Sequence, residues 1–281
     1  MIPDGGHIPV LPQAVLAYLQ PRPGAHFLDA TVGLGGHSEL LLQTPGIQLT
    51  AIDRDGEALA LAQRRLQGYP VTWWQGNFCE YPGGEFDGIL ADLGVSSLHL
   101  DTPARGFSFR HAGPLDMRMD QRQSLTAATL VNHSSEAELV ALLSRYGEVP
   151  FARRIARRLV QNRPFHDTLT LAETIRQAVP PPVRYGRKHP ATQVFQALRV
   201  AVNGELESLE RFLQRAPDWL KPGGRLVVIS FHSLEDRLVK WAFRQEARLE
   251  LLTPKPITPT ATEQAHNPRS RSAKLRAARR R

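Results

Sequence analysis

The sequence predicts an α/β fold: a parallel sheet covered by helices on both faces and interrupted by a helical insertion. Three observations carry this. Short apolar runs alternate with helical patterns through the first hundred residues. A glycine-rich turn, "FLDATVGLGGHS" (27–38), follows the first apolar run. The strand signal then stops near residue 101, and a buried strand returns only in "LKPGGRLVVISF" (220–231).

The elements follow in order. "AHFLDA" (25–30) reads as a strand and "HSELLLQ" (37–43) as the helix after the turn. "IQLTAID" (47–53) precedes "GEALALAQRRL" (56–66), where Ala58, Leu59, Ala62 and Leu66 recur at helical spacing. "PVTWWQG" (70–76) and "FDGILADLG" (86–94) supply further strands. From about 101 to 190 helical patterns take over, closed by "PPPVRYGRKHP". One helix is predicted from about 191 to 215, and another in "SLEDRLVKWAFRQ" after the fifth strand. The proline-rich "LLTPKPITPT" suits irregular chain or an edge strand. The expected division is a core of residues 1–102 and 191–281, with a helical insertion at 103–190.

Composition narrows the class. At 281 residues the chain can bury roughly 70–75% of its unfolded surface and needs no covalent staple. Its one cysteine, Cys79, excludes an internal disulfide and suits a reducing compartment. Neither a basic-then-apolar leader nor an apolar run of about 20 residues is present. A soluble cytoplasmic protein with no membrane partner is expected. The formal charge is +8, and the stretch from Pro268 to Arg281 alone carries six arginines, one lysine and no acid. That basic tail suits a polyanion, or is simply a solvated end.

The glycine turn admits two ligands. A phosphate-binding loop of the Walker type needs Lys and Ser/Thr after its last glycine, whereas His37 and Ser38 follow Gly36. A dinucleotide fits Gly33, Gly35 and the acidic Asp53 at the end of the second strand. S-adenosylmethionine fits equally: Gly33, Gly35 and Gly36 let backbone N–H groups approach its carboxylate, and Asp53 accepts from the ribose hydroxyls. Glycines and aspartate alone leave both open.

Later segments decide. A Pro-Gly-Gly turn before the fifth strand is a pattern common in class I methyltransferases, and Asp92 ends the fourth strand, where open α/β sheets put their chemistry. "DATVGLGGHS", "ILADLGVSS", "ARGFSF", "GPLDMRMD", "YGEVPFARRIAR", "HPATQVFQALRVAVNGEL" and "NPRSRSAKLRAA" occur in that order over nearly the whole chain. The sequence thereby resembles the bacterial 16S ribosomal RNA cytosine-N4 methyltransferase family (the small-subunit methyltransferase H family).

That resemblance implies a class I (Rossmann-like) S-adenosylmethionine-dependent fold with an inserted helical domain. It implies methylation of the N4 amino group of cytidine 1402 of 16S rRNA in the small ribosomal subunit. The family's cofactor positions fall on Gly35, Gly36, His37, Asp53, Phe78 and Asp92. One more falls on His99, where the family usually carries glutamine, and Leu98 beside it replaces a proline. Each has a plainer reading: His37 as the start of a helix, Phe78 as a core aromatic.

Asp92, or the Leu93 carbonyl, is the candidate acceptor for the cytosine amino group in catalysis; Asp92 can equally hold the cofactor alone. Phe231 and His232 are candidate clamps for the flipped base, against the alternative that Ser233 and Asp236 form a capping box. His189 is a further candidate, against a tight turn. Arg153, Arg154, Arg157 and Arg158 share one helical face, and with Arg184, Arg187 and Lys188 they suit RNA. Ten scattered histidines and one cysteine point to no metal site. The partner expected is 16S rRNA within its subunit, with a homodimer left open. The competing readings are a nicotinamide-dependent oxidoreductase, a non-catalytic ribosome-associated RNA-binding protein, and a methyltransferase for DNA or lipid.

Overall fold

A computed structural model describes residues 8–186 and 188–281. Contacts divide the chain into two units, one of residues 1–94 and 206–281, the other of residues 95–205.

The first unit is built on a seven-stranded sheet of order β3-β2-β1-β4-β5-β7-β6. Helix α1 (Pro12–Leu19) leads into β1 (His26–Asp29), α2 (Gly36–Leu42), β2 (Gln48–Asp53), α3 (Gly56–Arg65), β3 (Val71–Gln75) and β4 (Phe86–Asp92). These first four strands are parallel, as their intervening helices require. Strand β1 pairs with β2 on one side and β4 on the other, so the connections reverse direction there. Such a switch point opens a crevice beyond the carboxyl ends of the strands. The strands read as near-continuous apolar runs because both faces are covered, by one cluster around Phe27, Leu49 and Ile229 and another around Leu28, Ile89 and Phe212.

The second unit is helical: α4 (Ser97–Asp101), α5 (Ala127–His133), α6 (Glu136–Gly147), α7 (Ala152–Gln161), α8 (Thr168–Ala178), α9 (Pro181–Arg184) and α10 (Ala191–Asn203). Its core joins Leu139, Leu143, Ile155, Leu159, Ile175 and Leu198. Two motif segments are scaffolding here. Arg105, nearly buried, donates to the carbonyls of Arg118 and Met119. Asn203 accepts from Met119 N–H and donates to the Met117 carbonyl, tying the "GPLDMRMD" loop to α10.

This unit is wider than the 103–190 drawn from the sequence, because α10 packs on α6 within the same core. The single helix expected at about 191–215 is two. Gly204 (φ +55°) ends α10, and α11 (Glu205–Trp219) begins anew.

The C-terminal end corrects the sequence most sharply. After β5 (Leu220–Ser230), α12 (Ser233–Gln245), the short edge strand β6 (Leu249–Leu251) and α13 (Ala261–His266), the basic tail is strand β7 (Lys274–Arg280). It lies inside the sheet, antiparallel to both β5 and β6. Leu275, Arg276, Ala277 and Ala278 form a continuous buried run, as an inner strand covered on both faces requires. Arg276 and Lys274 grip Asp236 at 2.6 and 3.1 Å, Arg279 grips Glu250 at 2.6 Å, and Arg280 donates to the Leu220 carbonyl. Four of the tail's cations are thus held within the fold. "LLTPKPITPT" runs along β7, its Ile257 forming an antiparallel bridge with Leu275.

Candidate active site

The glycine turn sits at the carboxyl end of β1, at the switch point. Gly33 (φ +51°) and Gly35 (φ +82°) occupy the left-handed region that side chains resist, which curls the backbone back on itself. A side chain at Gly35 would also meet Leu66 at 3.4 Å, so the turn packs closely on α3. Asp53 fixes the turn from the neighbouring strand: one oxygen accepts from Gly33 N–H at 2.8 Å, the other from Asp55 N–H at 2.9 Å.

Two side chains beneath the turn decide its character. His37 is 6% exposed, yet neither ring nitrogen has a hydrogen-bond partner in the fold. Its Nε2 lies 3.5 Å from Oδ2 of Asp92, at the end of β4, while the buried Oδ1 of Asp92 is also unpartnered. Buried polar atoms cost about 1–3 kcal/mol each when unsatisfied. Three such atoms side by side mark where a ligand belongs. The Asp92 backbone is pinned by its N–H to Oγ1 of Thr31 at 2.7 Å, and Leu93 N–H bonds the Ile229 carbonyl at 2.9 Å.

The sequence reading missed Asp29, at the end of β1. It is 1% exposed and accepts from Ser38 Oγ at 2.7 Å and Thr31 N–H at 3.2 Å. Burial pushes its pKa up to about 6, against the opposing pull of Ser38 and His37. Its signal was present in "FLDATVG", an acid ending an apolar strand two residues before the turn.

Three aspartates therefore end three adjacent strands around one turn: Asp29, Asp53 and Asp92. That is a hostile setting for a dinucleotide's pyrophosphate, which would face like charge. It suits S-adenosylmethionine, whose sulfonium and ammonium are cationic and which carries no phosphate. The orphaned His37 and Asp92 atoms supply a donor and an acceptor that nothing in the fold consumes.

The other predicted residues are placed as follows. Phe78, after β3, is half-buried with its ring 5.0 Å from that of Phe212, packed on the core. Phe231, at the end of β5, lies where a side chain on Gly94 would meet its ring at 3.4 Å, beside the Asp92-Leu93-Gly94 turn. His232 caps α12. Its Nδ1 accepts from Glu235 N–H at 3.4 Å, while Glu235 accepts from Phe231 and His232 N–H at 2.7 and 3.2 Å. The capping box is thus His232 with Glu235, not Ser233 with Asp236, because the strand ends one residue sooner.

In the second unit His99 is buried, forms a capping box with Ser96 and stacks at 4.7 Å on Phe107. His189 accepts from Ala191 N–H at 3.2 Å and packs at 4.9 Å from the Phe109 ring; burial, then Arg176, lowers its pKa. Arg153, Arg154, Arg157 and Arg158 are all exposed on α7, whose Ile155, Ala156 and Leu159 are buried. Glu136 of α6 approaches Arg157 at 3.6 Å, an acid the local sequence did not reveal. Arg187 lies outside the described residues.

Sheet order, crevice and acidic glycine cradle together define a class I methyltransferase that uses S-adenosylmethionine. The chain belongs to the MraW methylase family, which it matches over residues 4–281. It is 59% identical to the ribosomal RNA small subunit methyltransferase H of Trichormus variabilis, over 97% of this chain and 91% of that one. It is 60% identical to the protein of the same name from Cyanothece sp., over 99% of this chain and 96% of that one. Among solved structures, TrmN from Thermus thermophilus is 14% identical with a TM-score of 0.48, over 96% of this chain and 48% of that one.

Among the described residues no helix is long and apolar enough to cross a membrane.

Proposed function

We propose that this enzyme methylates the N4 amino group of cytidine 1402 of 16S rRNA in the small ribosomal subunit, in the cytoplasm. The observation that carries the reading is the set of unpartnered buried atoms on His37 and Asp92 under the glycine turn. The names of the small-subunit methyltransferase relatives and the motif resemblance support the substrate.

S-adenosylmethionine supplies a methyl group already activated on a sulfonium. The chain must then hold donor and acceptor in line and exclude water. In this reading the turn of Gly33, Gly35, Gly36 and His37 binds the amino-acid end and Asp53 the ribose. Phe78 completes the contacts that this unit makes with the cofactor. Asp92 accepts a hydrogen bond from the cytosine amino group. Its charge stabilises the positive charge that develops on nitrogen as the N–C bond forms and the S–C bond breaks. The same carboxylate then takes the proton that the methylated nitrogen sheds. Phe231, beside the Asp92-Leu93-Gly94 turn, and His232 flank the flipped base.

The exposed arginines 153, 154, 157 and 158 of α7, with His189, hold RNA through the helical unit. The reaction needs no metal ion, and a second copy of the chain is an admissible partner that sedimentation reads directly.

The test is transfer of labelled methyl from S-adenosylmethionine to small subunits lacking the modification, followed by mapping of the methylated nucleotide. Label on N4 of cytidine 1402 is expected. Label on another nucleotide, on DNA or on protein overturns the assignment. Asp92→Asn should cut single-turnover methyl transfer roughly a hundredfold, the cost of removing one preorganised charge-stabilising group. Unchanged turnover with unchanged cofactor affinity removes Asp92 from both roles.

A further inference from the structure

The chain has four tryptophans. Trp73 and Trp74 are half-buried and Trp219 is buried, but Trp241 on α12 is 49% exposed. An indole left in water on a helix surface forgoes much of the burial that aromatic rings usually gain. Its surroundings are equally distinctive. Helix α12 buries Glu235, Val239 and Phe243 against the sheet. The opposite face carries Arg237, Lys240, Trp241 and Arg244, which are neighbours at spacings of three and four residues. Lys240 Nζ stands 5.5 Å from the indole centroid and the Arg244 guanidinium 6.0 Å. Two cations therefore flank one exposed aromatic ring, with Arg237 one helical turn before it.

The two acids of the helix itself, Glu235 and Asp236, are engaged elsewhere. Glu235 is buried against Phe231 and His232, and Asp236 is held by Lys274 and Arg276. Helix α12 starts directly after Phe231 and His232 at the carboxyl edge of the sheet and runs back toward the amino edge, so Trp241 stands about 12 Å along it from that start.

We propose that Arg237, Lys240, Trp241 and Arg244 form an RNA-docking surface on the methyltransferase unit itself. It takes single-stranded RNA, with an unstacked base on Trp241 and the flanking phosphates on the cations. Stacking on an exposed aromatic ring tolerates any base, while guanidinium and ammonium groups track the backbone. The surface is separate from the arginine face of α7. It rests on the reading of the substrate as rRNA, and gives the enzyme a grip on the strand leading to the target nucleotide.

The test uses the full chain and a single-stranded oligoribonucleotide covering the target region, with binding read by fluorescence. Trp241→Ala should weaken binding about tenfold, within the range for loss of one base–aromatic stack. Trp241→Phe should retain most of it, and S-adenosylmethionine affinity should stay unchanged in both. Replacing Arg237, Lys240 and Arg244 by serine should lower the salt dependence of binding by roughly two to three in log–log slope.

Wild-type oligonucleotide affinity in Trp241→Ala overturns the proposal. So does a variant that binds naked RNA normally but binds the subunit weakly, because the surface then meets ribosomal protein. The substrate reading fails separately, when the wild-type enzyme transfers no methyl group to small subunits.

Discussion

Two arginine-rich stretches of this chain look alike in sequence and behave oppositely in structure. In α7 four arginines project from a helix whose other side is buried, and Glu136 stands 3.6 Å from Arg157 in an exposed pair. In β7 Arg276 is 8% exposed and paired at 2.6 Å with Asp236, itself largely covered. The first set is available to a polyanion; the second welds the last strand into the sheet. Charge density therefore says little about purpose until the countercharges are located.

The comparison can be broken most directly at Arg276. Arg276→Ala leaves Asp236 covered with only Lys274 beside it, and should cost about 3–5 kcal/mol of stability in urea denaturation, as for buried pairs that lose one partner. Replacing Arg153, Arg154, Arg157 and Arg158 together by serine should move the urea midpoint little, since exposed substitutions stay within about 0.5 kcal/mol each. That variant should instead lower the salt slope of RNA binding by roughly three to four. If it unfolds as readily as Arg276→Ala, the distinction drawn between the two stretches is wrong.

A smaller effect comes from the cradle, which contrasts with β7 in leaving its polar atoms unpaired. His37→Leu should keep or raise the stability of the free enzyme, because His37 has no hydrogen bond to lose and its two unsatisfied nitrogens disappear. Cofactor affinity in calorimetry should nonetheless fall about tenfold, the worth of one hydrogen bond to a charged group. Asp29 gives a pH signature. Its folded pKa of about 6 stands above the ordinary value of 3.8, chiefly through burial, so the folded state binds the extra proton. Stability should therefore fall as pH rises from about 4 to about 6, and Asp29→Asn should flatten that interval in a pH series of melting curves. The weakest expected effect is the Arg157–Glu136 pair, whose coupling in a double-mutant cycle should stay below about 0.5 kcal/mol.

Much of the site was legible because local chemistry demands particular residues. Gly33 and Gly35 adopt positive φ, and Asp53 ends a strand facing them. Asp29 was as visible as Asp53, but nothing local distinguishes an acid that binds a ligand from one that holds Ser38. His232 was read as a base clamp. Its role in capping α12 depends on Glu235 three residues on, and on where β5 stops.

By itself the sequence determined the alternation of strands and helices, the glycine turn and the acids at the strand ends. These follow from backbone sterics and hydrophobic periodicity, which act over a few residues. Only the tertiary structure decided that the basic terminus is an inner strand, that residues 95–205 form one helical unit, and that His37 and Asp92 share unpartnered buried atoms. Those outcomes depend on which distant groups meet: Asp236 with Arg276 across 40 residues, or the end of β1 with the end of β4. Pairing energies of that kind are set by burial and geometry, neither of which is written in the local order of residues.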